Sequence, residues 1–189
     1  MRNKLSNIAK IQSGVYAKPD INAEVYYIQG RHFNEYREFD FNTKPEIAAQ
    51  ENFDKHYLQI GDILVASKSN SFFAITYKGI VKPAVASSSF LVIRIEDKAN
   101  ILPEFIAWQI NHPTNQKMMI LKAQGSKIAS LSKSDLDDLE LEILPLSKQR
   151  SIVKLDALLN RKKQISQKII FLTESLINKQ LYKLIQNHE

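Results

Sequence analysis

Three short apolar runs dominate the middle of the sequence and indicate β-strands. They cover residues 62–66, 72–76 and 89–95, and each is rich in β-branched and aromatic side chains. Because parallel neighbours would need long crossover connections, the short polar stretches between the runs favour an antiparallel meander. A further strand is predicted over residues 25–29, where Gly30 ends the sequence VYYIQ.

Helical spacing replaces the strand pattern after residue 100. Pro103 suits the first turn of a helix, and Ile106 and Ile110 give that helix an apolar face. A second helix is predicted over residues 114–123. Residues 31–57, in contrast, are polar, charged and aromatic without a clear period, and we expect mainly loop there.

The last forty residues predict one long helix. From Lys148 onward the sequence contains neither glycine nor proline, and apolar residues recur at alternating intervals of three and four, with Lys162 at one expected position. Such a helix would be about 60 Å long, more than a small domain needs to cover itself. A repeat near 3.5 residues is typical of coiled coils, so we expect a partner helix. The alternative is that the helix folds back on its own domain. The predicted stripe consists of Leu155, Leu158, Ile165, Ile169, Leu172 and Leu176.

Together these patterns predict an α+β protein in two parts. Residues 1–146 form a β-rich globular domain, and residues 147–189 form one long C-terminal helix that pairs as a coiled coil. The charge is divided between the parts as well. The first holds 17 basic and 17 acidic residues, and the second holds nine basic and three acidic ones, which accounts for the net charge of +6. A basic helix suits a polyanionic partner, although an ordinary solvated face would look the same.

The sequence carries no convincing catalytic signature. It has no cysteine, its five glycines are isolated, and its four histidines lack metal-ligand spacing. Asp20 together with Glu96, Asp97 and Lys98 loosely matches metal-dependent nucleases, but these residues also suit ordinary turns. We therefore expect no enzyme activity, cofactor or metal, and keep a nuclease as an alternative. Without a secretory apolar segment or a run of membrane-spanning length, a cytoplasmic protein that uses no membrane is expected.

The junction between the two parts resembles that of a known family. In the specificity subunits of type I restriction–modification systems, a globular target-recognition domain passes through a proline-containing turn and a Gln-x-x-Ile segment into a long conserved helix. Residues 4–14, 25–35, 61–66 and 125–146 resemble other segments of that family in the same order. Family members usually carry two such sets, so this chain resembles half of a specificity subunit. The matching junction residues are Pro145, Leu146, Gln149, Ile152, Val153, Leu155, Asp156 and Leu158.

The resemblance implies a non-catalytic subunit of a larger complex. Each recognition domain would read one half of a bipartite target in double-stranded DNA and would dock the methyltransferase subunits, with a restriction subunit as a further partner. The basic helix could then lie over DNA or meet the methyltransferase subunits. The competing interpretation is a coiled-coil interaction adaptor that reads no DNA.

The resemblance also implies that the long helices pair antiparallel and act as a spacer. A half-length chain could restore that arrangement as a homodimer or by pairing with a second half-subunit. In a parallel in-register pair the two copies of Lys162 would meet, and they would repel each other. We therefore expect an antiparallel homodimer whose two-fold axis lies near Ile165–Leu172.

Candidate DNA contacts lie in polar loops over residues 13–20, 29–37 and 67–71, and next to Gly125. Arginine can make a bidentate contact to guanine and asparagine to adenine, while lysine, serine and tyrosine can bind bases or phosphates. The third loop lies between two predicted strands that would hold it in place. The candidates are Tyr16, Lys18, Arg31, Asn34, Lys68, Ser69, Asn70, Ser126 and Lys127.

Overall fold

The structure is a computed structural model that describes residues 2–68, 72–123 and 130–186. It consists of two compact units, Met1–Val153 and Lys154–Glu189. The α+β class is confirmed, with a β-rich first part and a long C-terminal helix. The strands are β1 (Arg2–Lys4), β2 (Ala9–Ser13), β3 (Tyr26–Ile28), β4 (Ile63–Ala66), β5 (Ala74–Thr76), β6 (Ala84–Ala86), β7 (Phe90–Ile95) and β8 (Glu140–Glu142), and the helices are α1 (Pro103–Asn111), α2 (Pro113–Ala123), α3 (Lys133–Asp137) and α4 (Leu146–Gln186).

A four-stranded antiparallel sheet forms the centre of the first unit. Its strand order is β2-β7-β4-β5, so β4 pairs with β5 on one side and with β7 on the other. The predicted antiparallel orientation is confirmed, but the predicted meander is wrong because β7 does not lie beside β5. The chain between them first forms β6, which pairs in parallel with β3 outside this sheet. This detour returns the chain to the far side of β4.

Both faces of the central sheet are buried at β4. Along β4, Ile63 and Val65 pack in the same cluster as Phe105 of α1, whereas Leu64 packs with Ile28 of β3. This alternation follows from the two-residue period of a strand. It also explains why β4, Ile63–Ala66, is apolar throughout, because neither face of this strand meets water.

The predicted helices at Pro103 and before Gly125 are confirmed as α1 and α2, and the expected loop over residues 31–57 contains only two short 3-10 turns. Helix α3 was not predicted from the sequence. Ser132 caps that helix, because its hydroxyl accepts a hydrogen bond from the Asp135 N–H at 3.1 Å while the Asp135 carboxylate accepts one from the Ser132 N–H at 2.8 Å.

Acidic residues are clustered in and just before β8, and several of them lie close to basic residues of β1. The cluster consists of Asp135, Asp137, Asp138, Glu140 and Glu142. Arg2 and Lys4 of β1 lie opposite Glu142 and Glu140 in the antiparallel register, and the Lys4 ammonium lies 2.8 Å from the carboxylate of Asp138. This ion pair holds the pKa of Asp138 below its usual value. The clustered acids therefore match the basic first strand.

The first turn of α4 is tied to the first unit by Gln149, which is completely buried. Its side-chain oxygen accepts a hydrogen bond from the Leu102 N–H at 2.9 Å. Its amide nitrogen donates to the carbonyl of Asn100 at 2.8 Å and to that of Leu144 at 2.7 Å. One side chain thus joins the segment before α4, the loop before α1 and the N-cap of α1.

The second unit is a continuous helix with exposed apolar side chains. The six residues of the predicted stripe are between 47% (Ile165) and 66% (Leu155) exposed in the single chain. Pairing of this stripe with another helix stays a prediction. Among the described residues, no helix is both long and apolar enough to cross a membrane.

Candidate nucleic-acid interface

Two of the predicted loops and the turn before β7 leave the central sheet from the same end. Ser13 at the end of β2 lies opposite Leu91, and Ala66 at the end of β4 lies opposite Phe90, which begins β7. The segments that follow β2 and β4 and the turn that precedes β7 must therefore emerge side by side. We call this end of the sheet, with residues 13–18, 29–34, 67–68 and 87–89, the loop edge.

The pairing of β3 with β6 brings the 29–37 loop to the loop edge. Ile28 lies beside Ala86 in the parallel register, and the Ser87 N–H donates to the Ile28 carbonyl at 2.9 Å. Residues 29–31 therefore continue next to the turn at 87–89. This turn was not predicted from the sequence, although three consecutive serines before an apolar run are a recognisable turn signal.

An aromatic cluster fixes the 29–37 loop in place. The rings of Phe33, Phe73 and Phe90 meet edge to face with centroid separations between 6.0 and 6.2 Å, and Phe39 lies 5.5 Å from Phe33. Such pairs add to the stabilisation from burial alone. The loop is thus anchored to the segment before β5 and to the start of β7.

A fifth segment, at Ser130 and Leu131, also meets the loop edge. Lys68 forms an isolated antiparallel bridge with Ser130, and the Leu131 N–H donates to the Ser67 carbonyl at 2.8 Å. Ser130 and Leu131 therefore lie beside Ser67 and Lys68 at the loop edge. Of the candidate contacts, Ser69, Asn70, Ser126 and Lys127 lie outside the described residues.

The loop after β2 is held close to the sheet while its polar side chains face solvent. The Gly14 N–H donates to the Phe90 carbonyl at 2.9 Å, and a Cβ at Gly14 would lie 2.1 Å from the Ser87 carbonyl oxygen, so only glycine fits. Tyr16 is 76% exposed and Lys18 is exposed as well. Both candidates can therefore be reached by a partner at the loop edge.

Arg31 is positioned by a carboxylate. Its Nη2 lies 2.6 Å from Oε2 of Glu46, which also accepts a hydrogen bond from the Gln29 side chain at 3.1 Å. Its side chain is nevertheless 62% exposed, so the guanidinium is oriented without being buried. An arginine held in this way loses less conformational entropy when it makes a bidentate contact.

His32 supports this arrangement from the interior. It is buried, its Nδ1 accepts a hydrogen bond from the Gln29 N–H at 3.2 Å, and its Nε2 lies 3.1 Å from Oε1 of Glu46. Burial lowers the pKa of His32, although the Glu46 carboxylate opposes the shift. A neutral imidazole with its proton on Nε2 satisfies both contacts.

Asn34 has a structural role in its own loop. Its side-chain oxygen accepts hydrogen bonds from the N–H groups of Tyr36 and Glu38, both at 2.9 Å, and its amide nitrogen donates to the Glu38 carboxylate at 2.9 Å. These contacts close the turn over residues 34–38. Contact between Asn34 and adenine stays a prediction and would require some of these bonds to open.

The residues of the nuclease alternative are engaged in turns. The Asp20 carboxylate accepts a hydrogen bond from the Asn22 N–H at 2.8 Å, and Lys98 donates to the Ile60 carbonyl at 3.2 Å. Within residues 2–68, 72–123 and 130–186, no three His, Asp or Glu side chains are grouped so that they could hold a metal ion. The geometry of this part of the chain therefore gives the nuclease alternative no support.

Comparison with solved structures shows a shared fold at low sequence identity. The S subunit of a type I restriction–modification system from M. genitalium superposes with a TM-score of 0.58 at 11% identity, over 85% of this chain and 39% of that one. The HsdS subunit from Thermoanaerobacter tengcongensis superposes with a TM-score of 0.63 at 17% identity, over 88% of this chain and 44% of that one. A third match is a chain from a structure that concerns complex assembly and conformational transition of the type I R-M system. It superposes with a TM-score of 0.51 at 18% identity, over 93% of this chain and 40% of that one.

The chain thus spans less than half the length of the solved proteins it matches. No curated protein matches its sequence. A family model described as the type I restriction modification DNA specificity domain matches residues 4–173, which include nearly all of the first unit and α4 as far as Thr173. The chain therefore belongs to the family of type I restriction–modification specificity proteins.

Proposed function

We propose that this chain is a DNA-reading half of a specificity subunit, and that the loop edge reads one half of a bipartite DNA target. The observation that supports this most strongly is the convergence of four separate polar segments at one end of a rigid sheet. A duplex can be read only by donors and acceptors held in fixed positions next to the base edges. The central sheet and the aromatic cluster around Phe33 supply such a support.

In this proposal the side chains divide the work by chemistry. Arg31, oriented by Glu46, makes the bidentate contact to guanine, while Lys18 and Lys68 contact phosphates. Tyr16 can reach either kind of partner. The first 146 residues have no net charge, so the isolated chain should bind DNA weakly, and most of the affinity should come from the assembled complex.

The partners proposed for this chain are methyltransferase subunits and a restriction subunit, as in the complete type I systems that it resembles. Catalysis belongs to those partners, and the chain itself contributes recognition. The adaptor alternative shares the helix pairing but predicts that substitutions at the loop edge leave DNA methylation unchanged.

The long helix is proposed to pair with a second copy in antiparallel orientation. Burying an apolar side chain of the exposed stripe contributes roughly 1.5–3 kcal/mol, so six such residues per helix favour a partner strongly. In this arrangement Ile169, near the two-fold axis, would meet its own copy. Leu158 would lie about 16 Å away along the helix.

Ile169→Cys should therefore form a disulfide-linked dimer and Leu158→Cys should not. A stable monomer at micromolar concentration would point instead to a different half-subunit as partner.

Variants at the loop edge test the DNA-reading proposal. Arg31→Ala and Lys68→Ala should reduce methylation by the assembled complex while assembly, followed by size-exclusion chromatography, stays intact. Lys117→Ala is the matched control, because Lys117 is an exposed lysine of α2 that is not among the loop-edge residues. Equal methylation by all three variants would support the adaptor alternative.

A further inference from the structure

A cleft adjoins the loop edge and is not accounted for by the reading of paired bases. It lies between the segment 31–42 and residues 75–80, and its volume is about 870 Å³. Pockets of 300–1,000 Å³ are the usual size for small-molecule ligands. A smaller apolar cavity of about 40 Å³, lined by Phe33, Phe39 and Tyr77, lies against it.

One wall of the cleft carries an exposed aromatic side chain on an ordered turn. Phe41 is 74% exposed. The preceding residue, Asp40, accepts a hydrogen bond from the Asn42 N–H at 2.9 Å through its carboxylate, and its carbonyl accepts one from the Thr43 hydroxyl at 2.7 Å. These bonds fix the backbone on both sides of Phe41. Phe41 therefore lies on a fixed backbone, and its ring lines the cleft while it stays largely exposed.

Polar and cationic groups complete the lining. Lys78 is an exposed cation of the lining, Asn42 lines the cleft with its amide donating to the Asp40 carboxylate at 3.1 Å, and Arg31 lies at the end shared with the loop edge. Proteins that hold unpaired nucleotides combine aromatic rings, on which bases stack, with cations that contact the backbone. The cleft has both components.

We propose that this cleft receives a single unpaired nucleobase displaced from a duplex bound at the loop edge, with Phe41 as the stacking surface. Two observations favour a nucleobase over other occupants. The cleft is continuous with the loop edge through Arg31 and Phe33, and its exposed ring and the polar side chains of its lining match the flat apolar face and polar rim of a base. This inference rests on the proposed DNA-reading function.

Binding to two DNA probes tests the inference. The probes are a 30-base-pair duplex and the same duplex with one unpaired adenine, and binding to the full-length chain is followed by fluorescence anisotropy at low salt. Stacking on one aromatic ring changes affinity by about tenfold. The wild-type chain should bind the probe with the unpaired adenine about tenfold more tightly. Phe41→Ala should remove this preference and leave affinity for the perfect duplex unchanged.

Leu121→Ala provides the control, because Leu121 is an equally exposed apolar side chain on α2 and does not line the cleft. It should keep the preference, and all variants should have the thermal midpoint of the wild type. Equal binding of both probes by the wild-type chain, or a preference that survives Phe41→Ala, would overturn the cleft inference and leave the proposed function intact. Failure to bind either probe, by the chain alone and by the chain assembled with its methyltransferase partner, would overturn both.

Discussion

Replacement of the buried Gln149 should destabilise the first unit more than any exposed substitution in the same helix. Gln149→Ala removes three hydrogen bonds and leaves the Leu102 N–H and the carbonyls of Asn100 and Leu144 without their partner. Buried hydrogen bonds contribute about 1 kcal/mol each, and groups left unpaired in the interior add to the loss. The expected decrease in the free energy of unfolding is about 3 kcal/mol.

Gln149→Glu separates hydrogen bonding from packing. Glutamate nearly preserves the side-chain volume and can still accept from Leu102, but it places a negative oxygen where two carbonyl oxygens need a donor. A carboxylate in this buried site should therefore destabilise the first unit at least as much as alanine does. If only the loss of side-chain volume mattered, Gln149→Glu would lower the free energy of unfolding less than Gln149→Ala does.

Urea denaturation followed by the fluorescence of Trp108 is the appropriate assay. Trp108 is the single tryptophan of the chain and stacks on Phe105 in the first unit at a centroid separation of 5.8 Å, so its signal reports this unit. For Gln149→Ala, the urea concentration at the midpoint of unfolding should fall, while the dependence of the unfolding free energy on urea concentration stays constant. Arg150→Ala, an exposed change in the next residue, is the control. If Gln149→Ala lowered stability by less than about 1 kcal/mol, the tie at the start of α4 would be of little energetic importance.

Three further predictions concern the core and the loop edge. Gly14→Ala should lower the thermal midpoint and disturb the loop edge, because its Cβ would lie 2.1 Å from the Ser87 carbonyl oxygen. Arg94→Ala should cost about 3 kcal/mol in urea denaturation, because it leaves the completely buried Asp62 without its bidentate partner at 2.6 and 2.8 Å. The pKa of His32 is lowered by burial, so below about pH 6.5 the unfolded chain takes up a proton that the folded chain does not. Stability should therefore fall as the pH decreases from 7.5 to 5.5, and His32→Gln should reduce that dependence; an unchanged dependence in the variant would contradict the reasoning.

The sequence predicted the elements whose signals are local. The apolar runs of β4, β5 and β7 and the proline at the start of α1 each carry their signal within a few residues, and all were found. In contrast, β6 consists of Ala84–Ala86, too short and too near Pro83 to form a recognisable run. Its pairing with β3 spans more than fifty residues of sequence, and no local pattern specifies that pairing. The wrong strand order follows from this omission.

The candidate site was predicted in part for the same reason. Polar loops next to strong strands were identifiable, because a strand boundary marks where a loop begins. Which loops meet depends on the order of strands, and this decides that Ser87 lies beside Gly14 and Ile28. The engagement of Asn34 in its own turn and the support of Arg31 by Glu46 are tertiary features that composition does not reveal.

Methylome sequencing tests the central claim most directly, because it measures sequence recognition in the assembled system. Cells that carry the methyltransferase partner are compared with and without this chain, and then with the Arg31→Ala and Lys117→Ala variants. We expect methylation at a bipartite, palindromic motif that requires this chain, is lost or relaxed with Arg31→Ala, and is retained with Lys117→Ala. Methylation at the same motif in the absence of the chain would contradict its role as the subunit that reads DNA.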